Sequence, residues 1–153
     1  MVLGQPIGMR GAHPAGPVAT GAGHALEDPS FLLSPLEFAR YIDDFQSPWV
    51  GAYFDIGNVV NYGWPEQWIR ILGKRILKLD VKEYSRKFRD EKGPGAGFAA
   101  ELGEGDVEWP AVLAALDEIG YRGWGTAEVR GGDRERMAEI SRRMDNILAL
   151  KTS

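Results

Sequence analysis

The order of the predicted helices and strands constrains the fold of this 153-residue chain more than any other sequence feature does. A helix pattern comes first, and a strand followed by a helix then recurs three times. Helices that separate strands along a chain act as crossovers, and crossovers join parallel strands of one sheet. The sequence therefore predicts an α/β fold, whose repeats are consecutive pieces of a (β/α)-barrel or of a doubly wound sheet.

Capping residues mark where the predicted helices begin. Ser34 is a good N-cap, Pro35 fits the first helical position, and Glu37 completes a capping box. The predicted buried stripe of this first helix consists of Leu36, Ala39, Ile42 and Phe45. Later helices are predicted to begin at Pro65, at Trp109 and after Asp133, and Gly73 and Gly120 to end two of them.

Three segments have the character of buried strands, at residues 49–54, 75–81 and 124–129. Gly57 and Asn58 are predicted to lie in a loop after the first of them. The polar, glycine-rich stretch at residues 84–108 is predicted to be a long loop, which is commonly functional or disordered. Each predicted strand has a carboxylate at or near its end: Asp55, Asp80 and Glu128.

The three carboxylates are expected to meet, because ligands and catalytic groups gather at the carboxyl ends of parallel strands. Three acids at one place repel one another unless a divalent cation lies between them. An acid after a strand is also often a simple turn residue or helix cap. The pattern alone leaves both interpretations open.

Side-chain alternation predicts a polar face on the middle strand. Lys78, Asp80 and Lys82 share this face, and Leu77, Leu79 and Val81 share the opposite one. A face of this kind suits the polar mouth of a barrel, where the lysines would hold sugar or phosphate oxygens. Neutralisation of Asp80 and neighbouring acids explains the same lysines equally well.

Composition narrows the classes of partner and compartment. A formal net charge of −4 gives no electrostatic reason to expect binding to nucleic acid or anionic membranes. Without cysteine, the chain has neither disulfides nor thiolate metal sites. It also lacks an apolar run of about 20 residues and a secretory signal pattern. We therefore expect a cytoplasmic protein without nucleic-acid or membrane partners.

The chain divides into two parts by composition. Residues 1–24 are rich in glycine, proline and alanine and are predicted to be a disordered tail. Residues 25–153 are predicted to be the folded domain. A complete (β/α)₈ barrel needs about 250 residues, so this domain has the length of half a barrel. A half-barrel would leave an unpaired strand edge on each side, and such edges favour association into a homo-oligomer.

Four motifs in order resemble the xylose isomerase-like sugar phosphate isomerases and epimerases. They are FDIGN at residues 54–58, KLDVKE at 78–83 with Arg86 beyond, GEGDVEW at 103–109 and GWGTAE at 123–128. The same superfamily includes ketose 3-epimerases, hydroxypyruvate isomerases and type IV endonucleases. The resemblance covers about residues 31–150 and implies a partial (β/α)₈ TIM barrel, made of its last three to four units with parallel strands.

The resemblance also implies a metal site. Epimerases of this family hold one divalent ion by Glu, Asp, His and Glu, and the two glutamates move the substrate proton. Glu27 and Glu128 match these glutamates and Asp55 matches the Asp ligand, while Asp80 stands where the family has its histidine. A carboxylate there favours Mg²⁺ or Mn²⁺, with Co²⁺ or Zn²⁺ as other options, or else fits a site that has lost its metal.

The implied substrate contacts are Arg86, Lys82 and Asn58. Together these residues indicate a sugar or sugar-phosphate isomerase or epimerase that acts by metal-assisted proton transfer through an enediolate. A non-catalytic barrel fragment or assembly module is the alternative. An apurinic-endonuclease-like phosphodiesterase is disfavoured, because a multi-zinc cluster needs several histidines and none follows His24.

Overall fold

A computed structural model describes residues 4–7 and 32–150 of the chain. Its strands are β1 (Gly4–Ile7), β2 (Ala52–Asp55), β3 (Ile76–Val81) and β4 (Gly123–Ala127). The helices are α1 (Pro35–Asp44), α2 (Ile56–Val60), α3 (Pro65–Leu72), α4 (Arg86–Lys92), α5 (Trp109–Glu118) and α6 (Arg134–Ala149). Among these described residues, no helix combines the length and the apolar character needed to cross a membrane.

The sheet has the order β1-β4-β3-β2, and its last three strands are parallel. Asp55 pairs with Asp80, and Asp80 pairs with Thr126, so the carboxyl ends of the three strands lie side by side. Buried side chains of α1, α3, α5 and α6 cover one face of the sheet and form the core. This arrangement confirms the predicted α/β fold with parallel strands and is consistent with a partial TIM barrel.

Strand β1 pairs antiparallel with β4, from Gly4 opposite Thr126 to Ile7 opposite Gly123. Composition predicts a disordered tail for residues 1–24, and within it these four residues form a strand. Backbone groups at an exposed sheet edge accept a partner whatever its side chains are, so no sequence pattern announces this pairing. The rest of the predicted tail lies outside the described residues, and so does Glu27 of the predicted folded domain.

Helix α1 begins where the caps predict but buries a different stripe. The Ser34 hydroxyl accepts a hydrogen bond from the Leu36 amide at 3.3 Å. Phe38, Ala39 and Ile42 are buried, whereas Leu36 and Phe45 are 69% and 50% exposed. The predicted stripe was wrong at both ends because a spacing of three residues falls about 60° short of a turn. Four such positions therefore drift around half the helix.

The predicted loop at Gly57 and Asn58 is instead helix α2, which follows β2 without a break. The Asp55 side chain caps it by accepting a hydrogen bond from the Asn58 amide at 2.9 Å. A Cβ at Gly57 would lie 2.9 Å from the Lys82 backbone and side chain, so only glycine fits there. The carboxylate that ends the strand thus also starts the helix.

The predicted long loop at residues 84–108 contains helix α4 and a 3₁₀ segment, Pro94–Ala99. Ser85 caps α4 by accepting a hydrogen bond from the Phe88 amide at 3.3 Å. None of the residues of α4 is buried, so the helix has no apolar stripe by which the sequence could show it. The predicted strand at residues 49–54 begins later, at Ala52, and Trp49 is exposed.

Replacing Asp133 by alanine is expected to lower the free energy of unfolding by about 1 kcal/mol. The Asp133 side chain caps α6 by accepting a hydrogen bond from the Arg136 amide at 2.9 Å. Urea denaturation measures the loss. Asp133→Asn is the matched control, because an amide oxygen still accepts that bond. An equal loss in both variants would show that the charge, and not the hydrogen bond, stabilises the helix.

Candidate functional site

Three carboxylates meet at the carboxyl edge of the parallel strands. Asp55 ends β2, Asp80 lies near the end of β3 and Glu128 follows β4. One oxygen of each lies within 4.8 Å of an oxygen of the other two. The strand ends thus bring together the acids that the sequence predicts to meet there.

The ammonium of Lys82 lies among these acids. Its Nζ is 3.2 Å from Asp55 Oδ2 and 3.0 Å from Glu128 Oε1. Burial works against the charged form, but the charges of Asp55 and Glu128 raise the pKa of Lys82. The second oxygen of Glu128, Oε2, is buried without a hydrogen-bond partner among the described residues. It is therefore open to a ligand or a proton.

Asp55 is the most deeply placed of the three acids, with 2% of its surface exposed. Its Oδ1 accepts the Asn58 amide bond and its Oδ2 contacts Lys82. Burial raises the pKa of Asp55 to about 7, although Lys82 and the amide hydrogen bond act to lower it. A second cation would relieve this cost of burying the charge.

Asp80 is held by a residue that the sequence analysis missed. The Tyr53 hydroxyl donates a hydrogen bond to Asp80 Oδ1, and Lys78 Nζ lies 4.1 Å from the centre of the Tyr53 ring. Burial raises the pKa of Asp80 to about 6, and the Tyr53 hydrogen bond opposes this rise. Alternation along β2 places Tyr53 on the same face as Asp55, and that signal would have found it.

The donor set fits a hard divalent cation. Such ions take carboxylate oxygens at about 2.0–2.6 Å, so one ion can touch three oxygens that lie within 4.8 Å of one another. The Lys82 ammonium already shows that this position attracts positive charge. Asp55, Asp80 and Glu128 are thus arranged so that they could hold a metal ion.

The predicted substrate contacts lie at different places. Asn58 is buried beside Lys82, with Oδ1 3.4 Å from Nζ, and its Nδ2 has no partner among the described residues. Arg86 donates hydrogen bonds to the carbonyls of Val60 and Gly63, each at 3.1 Å. This guanidinium fixes the chain after α2 instead of pairing with the three carboxylates. Substrate contact remains a prediction for both residues.

A second buried acid, Glu83, holds the chain in place beside the site. The sequence analysis did not identify its structural role. It is 1% exposed and lies next to Lys82 in the chain. Its carboxylate accepts hydrogen bonds at 2.9–3.2 Å from four donors, the amides of Tyr84, Gly103 and Val107 and the Trp109 indole. Alternation would have shown it, because Glu83 continues the apolar face of Leu79 and Val81.

Solved structures share this architecture. A xylose isomerase domain protein from Planctomyces limnophilus matches with a TM-score of 0.59 and 25% identity, over 76% of this chain and 42% of that one. A D-tagatose 3-epimerase-like protein matches with a TM-score of 0.56 and 24% identity, over 79% of this chain and 44% of that one. The second likeness concerns the fold alone.

Sequence comparison gives the same family. An inosose dehydratase from Geobacillus thermodenitrificans is 30% identical in an alignment 104 residues long, which covers 60% of this chain and 34% of the relative. The chain thus spans about a third of the length of this relative and less than half of the two structures. The family model described as xylose isomerase-like TIM barrel matches residues 18–148. The chain therefore belongs to the xylose isomerase-like TIM barrel family.

Proposed function

We propose that the protein is a sugar or sugar-phosphate isomerase or epimerase. The observation that carries this proposal is the meeting of Asp55, Asp80 and Glu128 around Lys82 at the carboxyl edge of the sheet. Membership of the family, with a 30% identical inosose dehydratase among the relatives, supports sugar-modifying activity in general.

The described residues suggest how the proton is moved. Glu128 Oε2, to which none of the described residues donates a hydrogen bond, takes the proton from the carbon beside the substrate carbonyl and leaves an enediolate. The buried Asn58 Nδ2 donates a hydrogen bond to a substrate oxygen and so stabilises the developing oxyanion. Glu27, which lies outside the described residues, is the proposed second acid and base.

We propose Mg²⁺ or Mn²⁺ as the cofactor, because all three acids described at the site are hard oxygen donors. Asp55, Asp80 and Glu128 would hold the ion, with Glu27 as a proposed fourth ligand. When bound, the ion would polarise the substrate carbonyl and acidify the neighbouring C–H bond. The family's imidazole ligand is replaced by Asp80, whose Oδ1 is oriented by Tyr53.

Exchange of substrate hydrogen with solvent tests the proposed proton transfer. The protein is incubated with Mg²⁺ and a panel of ketoses, aldoses and their phosphates in D₂O, and NMR follows the loss of C–H signals. Glu128→Gln is expected to slow exchange about 10²–10⁴-fold, the usual contribution of an acid or base. Glu118→Gln, which changes an exposed pair with Arg70, is the control and should leave the rate unchanged.

Absence of exchange across the panel would contradict the proposal. A rate for Glu128→Gln equal to that of the parent protein would also contradict the role assigned to Glu128.

Dehydration is a second candidate, favoured by the likeness to an inosose dehydratase. It shares the first step, in which Glu128 takes a proton beside a carbonyl. The two reactions differ in the next step. A dehydratase expels the neighbouring hydroxyl with a proton as water, whereas an isomerase or epimerase returns a proton to carbon. Mass spectrometry of the product distinguishes them, since only dehydration lowers the substrate mass by that of water.

We also propose that two chains associate, because an unpaired edge of a sheet favours pairing with a further strand. Among residues 32–150, no strand pairs with the outer edge of β2, and Trp49 and Trp124 are 61% and 46% exposed. Light scattering at about 10 µM, where specific interfaces of standard size are usually populated, should give twice the chain mass of 16.9 kDa. A single-chain mass would contradict this proposal.

The remaining predictions on partners and compartment rest on composition alone. They are a cytoplasmic location and the lack of nucleic-acid and membrane partners.

A further inference from the structure

The position of Lys82 has a consequence for metal binding. Its ammonium contacts Asp55 Oδ2 and Glu128 Oε1, at 3.2 and 3.0 Å. The other oxygen of Asp55 already accepts the Asn58 amide bond. A metal ion held by Asp55 would thus draw on the oxygen that the lysine now occupies, and so would one held by Glu128 when Oε2 is kept for the proposed proton transfer.

We propose that the Lys82 ammonium and a divalent cation compete for one position between Asp55 and Glu128, so that metal binding displaces the lysine side chain. This inference rests on the proposed metal-assisted function. It makes Lys82 a built-in cation that keeps the acids together when the metal is absent.

Charge makes simultaneous occupation unfavourable. A divalent ion and an ammonium that share the same oxygens would lie a few ångströms apart, in a site where the lysine side chain is only 15% exposed. Repulsion at that distance is strong because little water screens it. The two carboxylates already have one counter-ion, and the incoming cation has to replace it.

The surroundings of Lys82 allow its head to move while its stem stays in place. The stem packs against Gly57, where a Cβ would meet the lysine Cβ and Cγ at 2.9 Å. The ammonium lies 4.8 Å from the centre of the Phe98 ring, and Phe98 is 42% exposed. A displaced ammonium would therefore have an aromatic face and solvent beside it.

Calorimetric titration with Mn²⁺ tests the competition by comparing Lys82→Met with Lys78→Met. Both changes remove one positive charge from the same face of the strand. Their long-range electrostatic effects on a bound metal ion are therefore expected to be similar. Only Lys82 touches Asp55 and Glu128, whereas Lys78 lies over the Tyr53 ring. We expect Lys82→Met to lower the Kd for Mn²⁺ at least ~10-fold and Lys78→Met to change it less than ~3-fold, as direct competition requires.

Pulse labelling of the protein without substitutions gives a measurement that does not depend on how a variant folds. A brief exposure to acetic anhydride, followed by peptide mass spectrometry, measures the accessibility of each lysine. Saturating Mn²⁺ should raise the labelling of Lys82 severalfold relative to Lys74, which lies outside the site.

Two results would overturn the inference alone: Mn²⁺ binding with equal Kd in both variants, or labelling of Lys82 that stays constant or falls with Mn²⁺. Absence of Mn²⁺ binding in all three proteins would overturn both the inference and the metal-assisted function. Exchange of substrate hydrogen with solvent in the absence of any bound metal would contradict the metal-assisted function while leaving the proton transfer itself standing.

Discussion

Replacing Glu83 by leucine is expected to lower the free energy of unfolding by about 4 kcal/mol, because each of four donors left without a partner costs about 1 kcal/mol. The Glu83 carboxylate is buried and accepts four N–H donors from three segments of the chain. Leucine fills a similar volume but accepts none of these bonds, and each buried donor left without a partner costs free energy. Urea denaturation followed by circular dichroism measures the change.

Two further variants sharpen this experiment. Glu83→Gln keeps the shape but turns an NH₂ group toward some of the donors, so an intermediate loss of about 2 kcal/mol is expected. Glu104→Gln is the matched control, because its exposed carboxylate on the same loop pairs with Arg143 and exposed pairs contribute about 0–1 kcal/mol. Equal stability of Glu83→Leu and Glu104→Gln would contradict the anchoring role of Glu83.

The metal-free protein is expected to become less stable as the pH rises from about 4 to about 7. Burial raises the pKa of Asp55 from 3.8 to about 7. In that interval the folded chain keeps a proton that the unfolded chain has released, so rising pH favours unfolding. At about 1.4 kcal/mol per pKa unit, a rise of about three units makes the loss from Asp55 on the order of 4 kcal/mol. Asp80, whose pKa burial raises to about 6, changes stability in the same direction.

Asp55→Asn isolates this effect, because the amide oxygen still accepts the helix-capping bond while the charge is gone. The variant should match the parent near pH 4 and exceed its stability at pH 8, both measured by urea denaturation with a chelator present. Asp43→Asn is a control with the opposite sign, because the Arg75 guanidinium lowers the pKa of the exposed Asp43. The contribution of Asp43 to stability therefore changes below pH 4, outside the interval tested. Stability of the parent that is constant or rises from pH 4 to pH 7 would refute the prediction.

The features that the sequence predicts well are local ones. Helices begin at Pro35, Pro65 and Trp109 and after Asp133 because caps and prolines act on the nearest backbone groups. The meeting of three acids follows from strand ends alone, because parallel strands finish at one edge. The parallel order, the family and the main polar cluster therefore required no knowledge of long-range contacts.

The features that the sequence does not show depend on segments far apart in the chain. The buried stripe of α1 is set by how the helix rotates against the sheet, which hides Phe38 and exposes Leu36. The identity of Lys82 suggests a ligand-binding cation, but its place between Asp55 and Glu128 depends on three different strands. Glu83 was passed over because its donors lie about 20 residues further along.

The pairing of β1 with β4 changes which strand forms one border of the sheet. A sheet with two open borders can grow by adding copies at both, which leads to filaments. Here the two borders among the described residues are β2 and β1, and β1 contains Pro6, which has no backbone N–H to donate. Proline is one of the residues by which edge strands discourage further pairing. Joining through β2 is therefore favoured, and a pair formed that way has a proline-containing strand at both of its outer borders, which opposes polymerisation.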